Sequence, residues 1–203
     1  MVDSLRPPVP GSDDRPRTVH PKGQVQLVLA DVIDLGDRVD DYDPKKPKLV
    51  HALALLYCSS KINPDTERPF ELSYECTLSW GEKANLRKWL GQQRGEPFTD
   101  DEARNPPDLA SYVGTNVIGT VVQQVSKGKG RTYAKLTAVV PLMDGMTPIP
   151  VPAGYQRAKW WAERQAENRK AAEAFTRGTQ TATPVAFDQM PAALDDNDSD
   201  LPF

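Results

Sequence analysis

Three cations fall within five residues at Lys127, Lys129 and Arg131, spaced by Gly128 and Gly130. Tyr133 and Lys135 follow at alternate positions, and a second basic run, Lys45, Lys46 and Lys48, comes just after Tyr42. Ammonium and guanidinium groups neutralise phosphates, and a tyrosine ring stacks on a base. Together they offer the chemistry of gripping an oligonucleotide. Each set also has a plainer reading: Lys-Gly-Lys-Gly is ordinary solvated hairpin chemistry, and Tyr133 can simply cover a sheet edge. A third group stands at the end of the sequence, where Asp195, Asp196, Asp198 and Asp200 lead into Leu201, Pro202 and Phe203. An exposed ring beside carboxylates suits an apolar pocket with a basic rim, and Pro202 limits the freedom lost on binding.

Reactive chemistry is thinly represented. His20 and His51 are far apart, and no metal-ligand spacing, phosphate loop or nucleophile elbow occurs. No catalytic residue, metal or cofactor is therefore expected. Asp40-Asp41 and Asp100-Asp101 read as solvated loop carboxylates, although Asp100-Asp101-Glu102 after Thr99 could begin a helical turn. Cys58 and Cys76 are too few for a disulfide framework and read as reduced, buried apolar residues. No leader is recognisable and no apolar run approaches the roughly 20 residues that span a bilayer, so a soluble cytoplasmic protein without membrane contact is expected. The net charge of −3 argues against nucleic acid only at first sight, because residues 178–203 hold five Asp and no Lys or Arg. The remainder is near neutral or mildly basic, which leaves room for a basic patch.

The elements that must position these groups follow from patterning. Residues 24–35 are rich in β-formers, and residues 37–48 carry loop chemistry. Residues 49–58 are apolar on both phases, as in a strand buried on both sides. Asn63-Pro64-Asp65 marks a turn, and residues 70–78 alternate, with Phe70, Leu72, Tyr74, Cys76 and Leu78 on one face. Ser79-Trp80-Gly81-Glu82 fits a capping box ahead of Leu86, Trp89 and Leu90, which share a helix face that Lys83, Arg87 and Lys88 solvate. Trp80 and Trp89 read as packing residues. Residues 116–125 and 132–141 form two more strands around a hairpin. In the last strand Ala134, Leu136, Ala138 and Val140 take the inward phase, and Tyr133, Lys135 and Thr137 the outward one. Tyr57 and His51 share a phase, with Tyr57 read as core.

Three strands, a helix and two strands is the element order of the OB-fold, a mainly β, five-stranded barrel with its helix between the third and fourth strands. In that fold the first and fourth loops flank an oligonucleotide groove, so both lysine clusters would line one trough. The expected domain plan is a disordered arm at 1–21, an OB domain at 22–150, a helix at 151–177, and a disordered linker with the acidic tip at 178–203. Residues 155–175 are good helix formers without a wide apolar stripe. They favour a solvated helix over one docked through Trp160 and Trp161.

The Asp-rich run ending Leu201-Pro202-Phe203 resembles the acidic tip of bacterial single-stranded DNA-binding proteins. Four segments resemble a family of bacteriophage single-stranded DNA-binding proteins: Thr77-Leu78-Ser79, Glu82-Lys83-Ala84-Asn85-Leu86-Arg87-Lys88, Gly95-Glu96-Pro97-Phe98-Thr99 and Gly130-Arg131-Thr132-Tyr133-Ala134. The resemblance covers roughly residues 24–142 and the tip; residues 142–193 have no counterpart in it. It implies an OB-fold, binding without strong sequence preference, no catalysis, and a tip that recruits replication and recombination proteins. The expectation is a phage-encoded protein that coats single strands in the bacterial cytoplasm. Self-association into a homo-oligomer stays open. The alternatives are an OB-type adaptor that binds only proteins, a strand-annealing recombination protein, and, least favoured, a metal-dependent nuclease.

Overall fold

The computed structural model describes residues 18–40, 46–126 and 130–180. Its strands are β1 (Gly23–Asp40), β2 (Lys48–Asn63), β3 (Arg68–Thr77), β4 (Asn116–Val125) and β5 (Thr132–Pro141). Helices α1 (Asn85–Arg94) and α2 (Asp100–Arg104) and a 3-10 turn (Leu109–Tyr112) lie between β3 and β4, and α3 (Trp160–Gln180) follows β5. The strands make one antiparallel sheet in the order β3-β2-β1-β4-β5. No ladder joins β3 to β5 among the described residues, so the sheet is open where a closed barrel was expected.

β1 is longer than its sequence pattern suggests. It runs to Asp40, through residues expected to form a loop, because β2 pairs with it as far as Asp40 opposite Lys48. Register shifts between Leu29 and Asp31 and between Asp34 and Gly36 bend it, so that its first part pairs β4 and its later part β2 alone. The sheet thereby coils around a core to which every strand contributes, including Leu27, Leu55, Leu72, Val121 and Leu136. Gly119 makes this coiling tight: a Cβ there would collide with the side chains of Leu27 and Leu136. Helix α1 closes one side of the core with Leu86, Trp89 and Leu90, as its periodicity predicts.

Three local expectations need correction. The capping box at Ser79–Glu82 does not form; α1 starts at Asn85 with Ala84 as an N-cap that offers no side-chain bond. The reciprocal box occurs instead at Thr99 and Glu102, which open α2. In β5 a register shift between Thr120 and Val121 skips Thr137, so Val139 turns inward and Val140 is left 48% exposed. Leu78 lies beyond β3 and is likewise exposed.

The largest departure is at the C-terminal side. The strap of residues 142–159 and α3 lie against the outward face of β1 and β2. Asn116 grips the strap as a peptide would: its Oδ1 accepts from Ile149 N at 2.8 Å, and its Nδ2 donates to Ile149 O at 3.0 Å. Ile149, Val151 and Tyr155 cover Val28, Ala30 and Cys58. Trp161, fully buried, covers Ile33, Leu35, Ala52, Ala54 and Leu56. This is why β2 is apolar on both phases. The solvated helix favoured by composition is thus a docked one. Thr18–Pro21, expected to belong to a loose arm, is also seated, with His20 only 2% exposed. The disordered ends expected at 1–17 and 181–203 lie outside the described residues.

Candidate nucleic-acid interface

The site grows from the seam where β3 and β5 part. A groove of about 440 Å³ there is lined by Arg68 and Phe70 from β3, Thr132 and Tyr133 from β5, and Thr18 and His20 from the leading segment. The β4–β5 hairpin beside it is closed by Ser126 N donating to Arg131 O at 2.9 Å. Alternation along β5 turns Tyr133 and Lys135 outward. The Tyr133 ring is 44% exposed, and its hydroxyl donates to Gln124 Oε1, on the residue opposite it in β4, at 2.9 Å. That bond orients the ring while leaving it open to a stacking partner.

Hydrogen bonds hold His20 in place within the groove. His20 Nδ1 lies 2.7 Å from the Pro21 carbonyl, an acceptor only, so it carries the proton. Nε2 then accepts from the Ser59 hydroxyl at 2.9 Å. The His20 ring meets Phe70 edge-on at 4.9 Å. Burial pushes the His20 pKa down, which keeps the ring neutral. Gln123 Nε2 donates to the His20 carbonyl, and Thr18 N donates to Asp65, tying the segment to the β2–β3 turn.

Among the residues singled out from sequence, Arg131, Tyr133 and Lys135 gather at this end, all exposed. Lys46 and Lys48, also exposed, do not join them. Lys48 stands opposite Asp40 and Val121 opposite Gly23, which sets the two groups at opposite ends of β1. Lys45, Lys127, Lys129, Tyr42 and the tip from Asp195 to Phe203 lie outside the described residues. Tyr57 belongs to the core, fully buried. His51 is held at the far end of β2 between two carboxylates, Nε2 to Asp34 and Nδ1 to Asp37, each at 2.8 Å. The Asp37 bond, foremost, raises its pKa.

Arg68 was missed. It sits in a run read only as a turn, and its bearing on Tyr133 depends on β3 lying beside β5. The cysteines are free and buried, and burial pushes the Cys58 thiol up to about 11 and the Cys76 thiol to about 12, so neither is a nucleophile at neutral pH. No helix among the described residues is long and apolar enough to cross a membrane. In comparisons with known proteins, no family model and no curated sequence matches this chain.

Proposed function

We propose that this protein binds single-stranded DNA and performs no chemistry on it. The reading is carried by one arrangement: the outward Tyr133 ring at the mouth of the β3–β5 groove, with Arg68 across the groove, Arg131 just before β5 and Lys135 on it. A ring open on one face can take a base, and the cations around it can neutralise the flanking phosphates. The strand order β3-β2-β1-β4-β5 with α1 between β3 and β4 supports an OB-type barrel opened along the β3–β5 seam. In this reading the protein is phage-encoded and coats strands exposed in replication or recombination in the bacterial cytoplasm. The acidic tip recruits the enzymes that act there.

Fluorescence anisotropy with labelled dT oligonucleotides tests it. Binding is expected to be micromolar or tighter, salt-sensitive, and much weaker for duplex. Replacing Lys127, Lys129 and Arg131 with Glu abolishes most of this binding while leaving partner capture intact. An adaptor that binds only proteins would show no dT binding at all, and a strand-annealing protein would also speed pairing of complementary strands. Deleting residues 201–203 is expected to spare DNA affinity and remove partner pull-down.

A further inference from the structure

In an OB-type sheet the outward face of the second and third strands carries the oligonucleotide. Here the strap and α3 cover the outward face of β2. A cover of this kind either excludes the strand or presents contacts of its own. Trp160 presents one. Its indole is 47% exposed and stacks on the fully buried Trp161, with 3.8 Å between ring centroids and 27° between planes. One face of the ring is thus fixed against the fold and the other is left to solvent. An exposed indole gains little for a monomer, and here it is held in a single orientation before any partner arrives.

Charge accompanies the ring. Arg164 lies one helical turn on, at the spacing that makes side chains neighbours. Its Nη2 reaches Glu75 Oε2 at 2.7 Å, and Arg38 Nη1 approaches the same oxygen at 3.8 Å. One carboxylate therefore faces two guanidiniums, which leaves one positive charge unmatched within this trio. Arg38 and Lys48 fall on the same phase of the β1–β2 ladder, with Asp40 opposite Lys48, so cations outnumber carboxylates by one along that phase towards the first inter-strand loop. Glu163, in the first turn of α3, limits that charge.

We infer that Trp160, with Arg164 and Arg38, forms a nucleotide subsite of the single-stranded DNA path, the base stacking on the indole and the phosphate meeting the guanidiniums. The subsite rests on the DNA-binding reading above. It gives the lysines near β2 a role separate from the hairpin end, because a bound strand would run from the α3 side of the sheet towards the first loop. With Glu163 present, stacking is the main contribution and charge the lesser one.

The test uses the full chain and a dT oligonucleotide series, read by anisotropy and by intrinsic tryptophan fluorescence. Trp89 and Trp161 are buried and Trp80 is partly buried, so the share of the quenching that belongs to Trp160 is read as the difference between wild type and W160A. W160A is expected to weaken dT binding about 5- to 150-fold and to remove most of the quenching. Because stacking is lost, that factor should change little between low and high salt, whereas the loss in R131E should shrink as salt rises. W160F should recover most of the affinity, and the thermal midpoint of W160A should fall less than that of W161A, since only one face of the Trp160 ring is packed. A W160A protein that binds dT with wild-type affinity and quenching overturns the subsite and leaves the hairpin reading standing. A wild-type protein that binds no dT overturns both.

Discussion

Tyr57 sits at the middle of a buried relay. Trp89 Nε1 donates to the Tyr57 hydroxyl at 2.9 Å, and that hydroxyl donates to Gln93 Oε1 at 2.8 Å. Tyr74 lies flat on Trp89 with centroids 3.6 Å apart, fixing the indole that begins the relay. Y57F removes one hydroxyl and strands two buried partners, which should cost about 1–3 kcal/mol, read from the urea midpoint. G119A should cost a similar 1–3 kcal/mol through overpacking against Leu27 and Leu136. The two histidines pull stability in opposite directions with pH. His20 has a pKa below the ordinary 6.5 in the fold, so the unfolded chain takes the proton first. Its contribution is present above pH 6.5 and is lost as pH falls through 6.5 towards the lowered value. His51 has a raised pKa between Asp34 and Asp37. Its contribution is full below pH 6.5 and is lost as pH climbs through the raised value. H51Q should flatten the loss on the alkaline side and leave the acid side unchanged; urea midpoints from pH 5 to 8 would show it. A slope that survives H51Q unchanged would remove His51 as its source.

At the scale of elements, the strands and α1 were legible because each carries a clean local period. The alternation of Phe70, Leu72, Tyr74 and Cys76 is satisfied by one buried face, and Leu86, Trp89 and Leu90 enter the core together. The uniform apolarity of β2 announced two covered faces but not what covers the second. The docking of α3 escaped periodicity because it depends on few apolar groups. Beyond Trp161, it is held by polar latches: Gln165 donates to the Asp34 carbonyl, Asn168 Nδ2 donates to the Leu35 carbonyl at 3.0 Å, and in the strap just before it Arg157 makes a two-pronged pair with Asp31. Such contacts leave no hydrophobic stripe to count. The candidate site divides the same way. Arg131, Tyr133 and Lys135 alternate along one short run that enters β5 and so could be read directly. Arg68 enters through the β3–β5 approach, which is tertiary, and the two lysine clusters could be assigned to one trough only by assuming where β1 ends. The strap offers a direct check on its latch. N116A deletes both bonds to Ile149 and should cost about 1–3 kcal/mol while loosening residues 142–151, visible as faster amide exchange at Ile149 with the β1–β4 amides still protected.

For the whole molecule, these contacts mean that residues 151–180 are not an appendage to a domain ending at Pro150. The outward face of β1 and β2 presents Ile33, Leu35, Ala52, Ala54 and Leu56 side by side, and among the described residues Trp161, Tyr155 and Ala158 supply the apolar cover packed on them. A contiguous apolar face of that kind, left open, is an aggregation surface. The cover also includes buried polar atoms without partners, the Trp161 indole N–H and the Tyr155 hydroxyl, so its hold depends on apolar burial and the peripheral latches. Three consequences follow for the stability of the chain. Thermal unfolding should be a single transition, with far-ultraviolet circular dichroism and tryptophan fluorescence giving coincident midpoints, because α3 cannot leave without exposing the sheet. W161A removes a fully buried indole and should cost about 3–5 kcal/mol, a large share of the stability of a domain this size. A chain ended at Pro150 should go further and collect in the insoluble fraction, whereas one ended at Gln180 should stay in solution and melt like the full chain. Good solubility and an unchanged melting midpoint in the chain ended at Pro150 would show that the sheet stands alone and that α3 merely rests on it.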